Sequence, residues 1–190
     1  MNRAARDKFV ATTDQSKLAY GEAACLETPP ALFAALHQEF HFNVDLTANE
    51  QNHLLPVWFG PKGLHENCLD PVWSNGMTNQ VGFSNPPYGR CIELILAKAV
   101  VQQDFTSVFL LPLRASRWYK QFVLPYADEV RHLPRVTFWY QGKPKETYSR
   151  TQQKMVITSA LFDSMVVVYR PEPRLRHGWC CPHFSVWSWK

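Results

Sequence analysis

The sequence lacks any long hydrophobic run. No apolar stretch approaches the roughly 20 residues that a membrane-spanning helix needs, and residues 1–7, which read MNRAARD, have none of the apolar core of a signal peptide. These absences argue against an integral membrane protein and against a secreted one. The sequence therefore predicts a soluble protein of the cytoplasm.

Cysteine is also scarce, and its spacing is irregular. The five cysteines are an odd number, which is typical of a reducing compartment rather than of a disulfide scaffold. Cys180, Cys181 and His183 could form half of a zinc site, but no second half lies at ligand spacing. No metal site is predicted.

Charge of either sign is limited, and its distribution is more informative than its total. The net charge of +4 does not by itself indicate a nucleic-acid-binding protein. Between Arg114 and Lys154, however, nine basic residues stand against three acidic ones, a net charge of +6 that leaves −2 for the remainder. Such a segment suits a surface that faces phosphates, although a merely solvated polar face would have the same composition.

The hydrophobic pattern predicts one α/β domain. The chain has 190 residues, 46% of them hydrophobic, which suffices for a single core. A strand near 80–84, a helix through 92–100 and a buried strand over 107–113 form a β-α-β unit, which implies a parallel sheet with its ligands at the carboxyl ends of the strands. Upstream, a helix over 29–39 leads into a strand over 40–46, near whose end lies Asp45.

The rest of the chain is less regular. Further predicted elements are a helix over 117–124 and strands over 128–132, 136–140 and 164–169. Residues 141–154 are polar and basic and predict a long loop, which marks a functional or a disordered segment. The domain is predicted to span 28–171, between an irregular arm at 1–27 and a tail at 172–190 that has no periodicity.

The clearest chemical signal is Asn85-Pro86-Pro87-Tyr88, which follows the strand near 80–84. Asn offers a side-chain carbonyl, and the carbonyl of a proline is free to face a ligand, so the pair can accept two hydrogen bonds from one amino group. The Tyr88 ring offers a flat face for a planar base, a contact worth roughly 1–3 kcal/mol. The same residues are all turn-prone, and a simple turn is the alternative interpretation.

Together with its β-α-β setting and the basic segment downstream, this motif resembles the phage-type DNA N6-adenine methyltransferases, the Dam family of bacteriophages and prophages. The resemblance covers roughly residues 28–171. Besides the motif and the following Gly89-Arg90, it rests on Thr28-Pro29-Pro30 with Leu32-Phe33, on Glu39-Phe40 with Phe42 and Asp45, on Cys68-Leu69-Asp70 with Trp73, on Leu110-Leu111-Pro112 with Arg114 and Arg117-Trp118, and on residues 164–171.

The resemblance implies an α/β, Rossmann-like fold dependent on S-adenosylmethionine, with a mixed, mostly parallel sheet and helices on both faces. It implies site-specific methylation of adenine N6 in double-stranded DNA, as part of a phage, prophage or restriction-modification system in the bacterial cytoplasm. The catalytic residues would be Asn85, Pro86, Pro87 and Tyr88. Cofactor-binding residues would be Asp45, Asp70, Thr28, Pro29 and Phe83. DNA-binding residues would be Arg90, Arg114, Arg117, Lys143, Lys145 and Arg150.

One departure from methyltransferases at large is the missing Gly-rich cofactor loop, since Leu46-Thr47-Ala48-Asn49-Glu50 follows the strand that ends near Asp45. Asp45 could therefore be a capping or turn residue instead. A cytosine C5 methyltransferase is not predicted, because that chemistry needs a nucleophilic Cys, usually in a Pro-Cys pair, and this pair is absent.

Other targets remain open at this point. They are cytosine N4, adenine in RNA and a protein glutamine, all of which suit the same acceptor turn, and a non-catalytic nucleic-acid-binding module. A chain of this size has little room for a separate recognition domain, so DNA sequence would be read by loops such as 141–154 or by a second subunit. A monomer or a weak dimer is expected.

Overall fold

The computed structural model of the chain describes residues 26–74, 79–102, 104–171 and 182–187. Its helical elements are α1 (Pro30–Phe40), α2 (Arg90–Val101) and a π-helical turn, Tyr119–Val123, that continues into the short α3 (Leu124–Tyr126). Its strands are β1 (Val44–Asp45), β2 (Val81–Ser84), β3 (Thr106–Pro112), β4 (Glu129–Leu133), β5 (Trp139–Tyr140), β6 (Lys143–Pro144), β7 (Glu146–Ser149), β8 (Lys154–Ile157), β9 (Ser164–Tyr169) and β10 (His183–Val186).

Six strands form the main sheet, in the order β1-β2-β3-β9-β4-β10. The pairs β1–β2, β2–β3 and β4–β10 are parallel, whereas β9 is antiparallel to both β3 and β4. β2, α2 and β3 form the predicted β-α-β unit, with Phe83 paired to Val108. The fold is therefore mixed α/β, as the sequence predicts.

The two faces of the sheet carry separate apolar clusters because successive side chains of a strand point to opposite faces. Val108, Leu110, Val166 and Val168 pack in one cluster with Leu32 and Leu36 of α1. Their neighbours in the strands pack in the other cluster with α2; they are Phe109, Leu111, Val167 and Tyr169. Each fully buried side chain of this kind contributes roughly 1.5–3 kcal/mol. A helix therefore covers each face, in agreement with the sequence analysis.

Several predicted boundaries differ from the observed ones. The strand expected over 40–46 is reduced to Val44–Asp45, because His41 takes a left-handed conformation (φ 54°) that ends α1. The strand expected over 136–140 is reduced to Trp139–Tyr140, although Val136 and Phe138 are buried. The helix expected over 117–124 has a π-helical centre.

The predicted loop at 141–154 is wrong in its conformation. β6 pairs with β5, and β7 pairs with β8, so this segment forms two antiparallel hairpins, here called the basic hairpins (139–157). Sequence periodicity misses them because both strands of the second hairpin are largely exposed, so no apolar face alternates with a polar one.

The predicted tail at 172–190 also differs in part, because β10 belongs to the main sheet. His183–Val186 pairs with Glu129–His132, and Trp187 donates its backbone N–H to the His132 carbonyl at 3.0 Å. The predicted N-terminal arm falls mostly outside the described residues, apart from residues 26 and 27. Within the described part of the chain, no helix combines the length and the apolarity needed to cross a membrane.

One edge of the sheet gathers the chemically important segments. The parallel strands β1, β2, β3 and β4 all end there, and the antiparallel β9 begins there. The turn that contains Asn85 follows β2 at this edge, and the basic hairpins follow β4. Because loops at the carboxyl ends of parallel strands usually form ligand sites, a site is expected at this edge.

Candidate active site

The turn after β2 holds Asn85 in a fixed orientation. The side-chain Nδ2 of Asn85 donates a hydrogen bond to the backbone carbonyl of Leu26 at 3.3 Å. With Nδ2 engaged in this way, Oδ1 is the atom available as an acceptor, and no described residue donates to it. Pro86 is buried and Pro87 is half-buried. The structure therefore anchors the Asn85 amide through its Nδ2 atom, next in the chain to the buried Pro86.

The segment that anchors Asn85 is itself tied to the basic hairpins. Glu27 and Trp139 exchange backbone hydrogen bonds at 2.8 and 2.9 Å. The Glu27 carboxylate also accepts from the backbone N–H of Gly142 at 3.2 Å. Residues 26–28 thus form a link between the turn and the hairpins.

On one side of the turn lies a cleft whose empty space, with its solvent-open mouth included, is about 560 Å³. Pro87 of the turn and Cys91 at the start of α2 form one wall. Loops that follow β1 form the other walls. The lining residues are Leu46, Thr47, Ala48, Asn49, Phe59, Gly60, Asn67, Cys68, Leu69, Pro87, Cys91, Leu94 and Ile95. The lining is mostly apolar, with Thr47, Asn49 and Asn67 as polar groups.

Asp45 lies directly behind this lining rather than in it. Its carboxylate is 3% exposed and accepts backbone hydrogen bonds from Thr47 at 3.3 Å and Leu54 at 3.2 Å. Burial raises the pKa of Asp45 to about 6, against the opposing effect of the two N–H donors and of nearby His53. Asp45 therefore supports the loop that lines the cleft, through contacts typical of a turn residue.

On the other side of the turn lies a more open groove of about 610 Å³. Tyr88 and Gly89 form one wall, and the segment after β3, with Arg114, Ser116 and Trp118, forms the opposite one. Tyr88 is 39% exposed and packs edge-on against Phe138, with ring centroids 6.1 Å apart. The Tyr88 ring therefore has surface left for a ligand.

The other residues predicted to bind the cofactor are not among those that line the cleft. Asp70 is exposed at its rim, where its Oδ2 accepts a hydrogen bond from the cleft-lining Asn67 at 2.7 Å. Thr28 is buried next to the Asn85 anchor, and its hydroxyl has no partner among the described residues. Pro29 follows it at the start of α1.

Phe83 is a correction to the sequence analysis. Its ring is fully buried and packs against Phe33 and Phe42, each with ring centroids 5.3 Å apart, on the face of the sheet that α1 covers. The cleft opens on the opposite face, beside α2. Strand alternation decides this: Ser84, not Phe83, points to the cleft side, where its Oγ lies 2.8 Å from the Thr47 hydroxyl.

The basic residues differ in how far their charges are exposed to solvent and free of ion pairs. Lys143 and Arg150 are exposed on the basic hairpins, and Lys145 is half-buried there. Arg90 is exposed at the first position of α2. Arg117 is exposed but pairs with Glu93 at 3.3 Å. Arg131, which contributes to the basic count of the sequence, forms a two-pronged ion pair with Glu39 at 2.6 and 2.7 Å.

Arg131 is therefore a structural residue. It is 9% exposed and also bonds Glu129, which in turn pairs with Arg170 at 2.6 Å. This network joins α1 to β4.

Sequence reasoning missed several residues that line the two concavities. In the cleft they include Asn49, Asn67 and Cys91, and in the groove they include Ser116 and Trp118. Asn67 adjoins a segment that the resemblance uses, but only the three-dimensional placement of the loops after β1 brings it to the same cleft as Pro87. Cys91 lies in the first turn of α2, shortly after Pro87 in the chain.

The turn separates two concavities. A largely apolar cleft, suited to a small molecule, opens on one side of Asn85–Tyr88, and a groove with an aromatic face and a cation opens on the other. Asn85 and Pro86 precede in the chain the two turn residues that line them, Pro87 in the cleft and Tyr88 in the groove. An arrangement of this kind can hold a planar ring in the groove next to a small molecule in the cleft.

A known protein family matches most of the chain. Residues 15–174 match the family model described as DNA N-6-adenine-methyltransferase (Dam). This span includes residues 28–171, over which the motifs of the sequence analysis extend. A search of curated proteins gives no significant match.

Proposed function

The chain belongs to the DNA N-6-adenine-methyltransferase (Dam) family, and from this premise we propose that it transfers a methyl group from S-adenosylmethionine to the N6 amine of an adenine turned out of duplex DNA. The observation that carries the proposal is the position of the Asn85–Tyr88 turn between the cleft and the groove. We further propose that the mixed sheet is a Rossmann-like methyltransferase sheet, built from residues 28–171 and extended by β10.

The lining of the cleft suits the cofactor in chemistry. The adenine ring and the methylene groups of S-adenosylmethionine match the apolar side chains, and its ribose hydroxyls and amino-acid group need the polar partners that Thr47, Asn49 and Asn67 offer. We assign Leu46, Phe59, Leu69 and Ile95 to apolar contact and the amides of Asn49 and Asn67 to polar contact. Asp45 would act through the loop that it supports, and Asp70 through Asn67. When bound, this cofactor supplies a methyl group on a positively charged sulfur.

Asn85 and Pro86 would activate the amine. The nitrogen of an adenine amino group is a poor nucleophile because its lone pair is delocalised into the ring. Two acceptors bonded to its hydrogens favour a pyramidal nitrogen and stabilise the positive charge that develops on it, so they act more strongly in the transition state than in the ground state. The anchor on Leu26 fixes the Asn85 amide before the substrate arrives, which saves reorientation during the reaction.

Tyr88 and the groove would hold the base and its strand. The exposed part of the Tyr88 ring suits stacking on an extruded adenine. Arg114, across the groove, and the exposed cations Lys143 and Arg150 suit contact with the DNA backbone. The proposal names adenine rather than cytosine, and DNA rather than RNA, on the basis of the family match and not of any contact in the groove.

The experiment is methyl transfer by Asn85→Ala. With tritiated cofactor and duplex DNA, we expect the rate at saturating substrates to fall by about 10²–10³-fold, since one preorganised polar group of a transition state is typically worth that much. Cofactor affinity, measured by calorimetry, should stay within about twofold, because Asn85 does not line the cleft.

The matched control is Asn67→Ala, which truncates an asparagine on the cleft side of the turn. It should weaken cofactor binding and leave the rate at saturating cofactor much closer to that of the wild type. A wild-type rate for Asn85→Ala would refute the proposed catalytic role of the turn.

A further inference from the structure

An apolar loop tip lies beside the groove, outside both the cleft and the Asn85–Tyr88 turn. Leu161 is 83% exposed, and the adjacent Phe162 is 37% exposed, in the segment 158–163 that joins β8 to β9. Single exposed apolar side chains are common on protein surfaces, but Leu161 and Phe162 are adjacent to each other and lie beside charged side chains. The pair is therefore a candidate contact surface.

The tip is held firmly in place by the backbone around it. Ala160 donates its backbone N–H to the Val136 carbonyl at 2.8 Å, and the Asp163 carbonyl accepts from Leu113 at 2.8 Å. Thr158 donates to the Lys145 carbonyl at 3.0 Å. Backbone hydrogen bonds on both sides of Leu161 thus fix the position of the loop that carries it.

Phe162 connects the tip to the groove. The guanidinium of Arg114 lies over the Phe162 ring, 4.4 Å from its centroid. Arg114 also lines the groove opposite Tyr88. The groove therefore lies between Tyr88 and Arg114. Phe162 contacts Arg114, and Leu161 follows next to Phe162.

Arg114 and Arg135 lie beside the tip, whose own acidic residue is Asp163, and this excess of cations favours DNA over an apolar protein partner. Arg114 is exposed beside Phe162, and Arg135 is 64% exposed with only a long contact to Asp163 at 3.7 Å. Lys145 is joined to the same segment through Thr158. Proteins that kink or open duplex DNA insert a leucine or phenylalanine between bases while neighbouring cations contact the phosphates.

We propose that Leu161, backed by Phe162, inserts into the DNA base stack and fills the space left by the adenine as it turns into the groove. The inference rests on the proposed function, since a wedge is needed only if the base leaves the duplex. Phe162 and Arg114 are positioning residues here, because their stacking would hold Leu161 beside the groove that Tyr88 lines.

The test compares two DNA duplexes. The target site is first read from the adenines that the wild type methylates in long DNA. One short duplex then carries the target adenine opposite thymine, and the other carries it opposite an abasic site, where the base is already unpaired. We measure kcat/KM for the wild type, for Leu161→Ser, and for Leu124→Ser, which replaces another exposed leucine, at the start of α3 and near the opposite edge of the sheet.

For Leu161→Ser we expect a loss of roughly 10–100-fold on the paired duplex and a change within about twofold on the abasic duplex, because only the paired base must be forced out. Leu124→Ser should match the wild type on both. A fluorescent 2-aminopurine at the target position should brighten on binding of the wild type and much less with Leu161→Ser.

Equal losses of kcat/KM on the two duplexes would show that Leu161 acts only on folding or general affinity. No loss on the paired duplex would show that Leu161 has no role in extrusion of the base. Either result overturns the proposal. A wild type inactive on both duplexes and on long DNA would instead overturn the proposed function.

Discussion

The two sides of the Asn85–Tyr88 turn are built in different ways. The cleft side is mostly apolar, and short loops tied by backbone hydrogen bonds form it, such as Ala48 to Phe59 at 3.1 Å and Gly60 to His65 at 2.8 Å. The groove side is open and basic and lies beside exposed hairpins and an exposed apolar tip. A small cofactor needs an enclosing, preformed site, whereas a long, charged polymer needs an accessible surface.

This difference shows that the turn, proposed above as the catalytic element, is also a boundary between two concavities. Pro87 belongs to the cleft and Tyr88 to the groove, although they are adjacent in the chain. Changes on one side should therefore alter one ligand and spare the other. Substitutions at Gly60, at Asp45 and in the basic hairpins test this separation.

The largest effect is expected on the cleft side, at Gly60. Gly60 has φ 141°, and a Cβ atom there would lie 1.8 Å from the Ala48 carbonyl oxygen. Gly60→Ala should lower the free energy of unfolding by about 1–3 kcal/mol for the backbone strain and by about 1–3 kcal/mol more for the clash. Chemical denaturation provides the measurement, and the cofactor affinity of the folded variant should fall.

Gly89→Ala is the matched control, because Gly89 has nearly the same φ (148°) but an added Cβ would meet no atom within 4 Å. Gly89→Ala should lower the free energy of unfolding by the contribution of backbone strain alone, without that of a clash. Equal destabilisation by the two substitutions would mean that the close approach of Gly60 to Ala48 is not a feature of the folded protein.

The second effect concerns Asp45, again on the cleft side. Burial raises its pKa to about 6 from 3.8, so the folded protein takes up a proton that the unfolded chain does not bind until lower pH. The wild type should therefore gain stability relative to Asp45→Asn as pH falls from about 6 towards 3.8, by at most about 3 kcal/mol for a shift of this size.

Thermal or chemical unfolding of both proteins across this pH range measures the effect. If the stabilities of the two proteins change in parallel with pH, the carboxylate of Asp45 does not have a raised pKa in the folded protein. That result would contradict its buried position behind the cleft. DNA affinity of the folded variant should stay unchanged, since Asp45 does not line the groove.

The smallest effect is expected on the groove side, in the basic hairpins. Replacing Lys143, Lys145 and Arg150 with Gln should weaken DNA binding by roughly 10–100-fold at low salt. The slope of log affinity against log salt should become less steep, by up to about 0.9 for each phosphate that these cations neutralise. Cofactor affinity should not change. An unaltered salt slope, measured by fluorescence anisotropy, would remove the hairpins from the DNA interface.

The sequence predicts the centre of this site better than its walls. Asn85 to Tyr88, α2 and β3 follow one another within a short stretch, so local rules place them correctly. The β-α-β unit then puts the turn at the carboxyl end of β2. Helix α1 is predicted within one residue at each end because its apolar spacing and its initial prolines agree.

The walls depend on contacts between distant segments. Asn67 reaches the cleft through irregular loops that no periodicity describes. Phe83, which the sequence analysis assigns to the cofactor, is buried under α1 because of strand alternation. The basic hairpins and β10 are missed because their strands are short and largely exposed, so their sequences lack the pattern of a half-buried strand.

The identity of the methylated product tests the proposed function most directly. The wild-type protein would be incubated with tritiated S-adenosylmethionine and, separately, duplex DNA, RNA and protein, and the digested nucleosides and amino acids would be resolved by chromatography. We predict label in N6-methyladenine from the duplex DNA. Label in N4-methylcytosine, in RNA or in glutamine alone, or no label although the protein binds the cofactor, would contradict the proposed function.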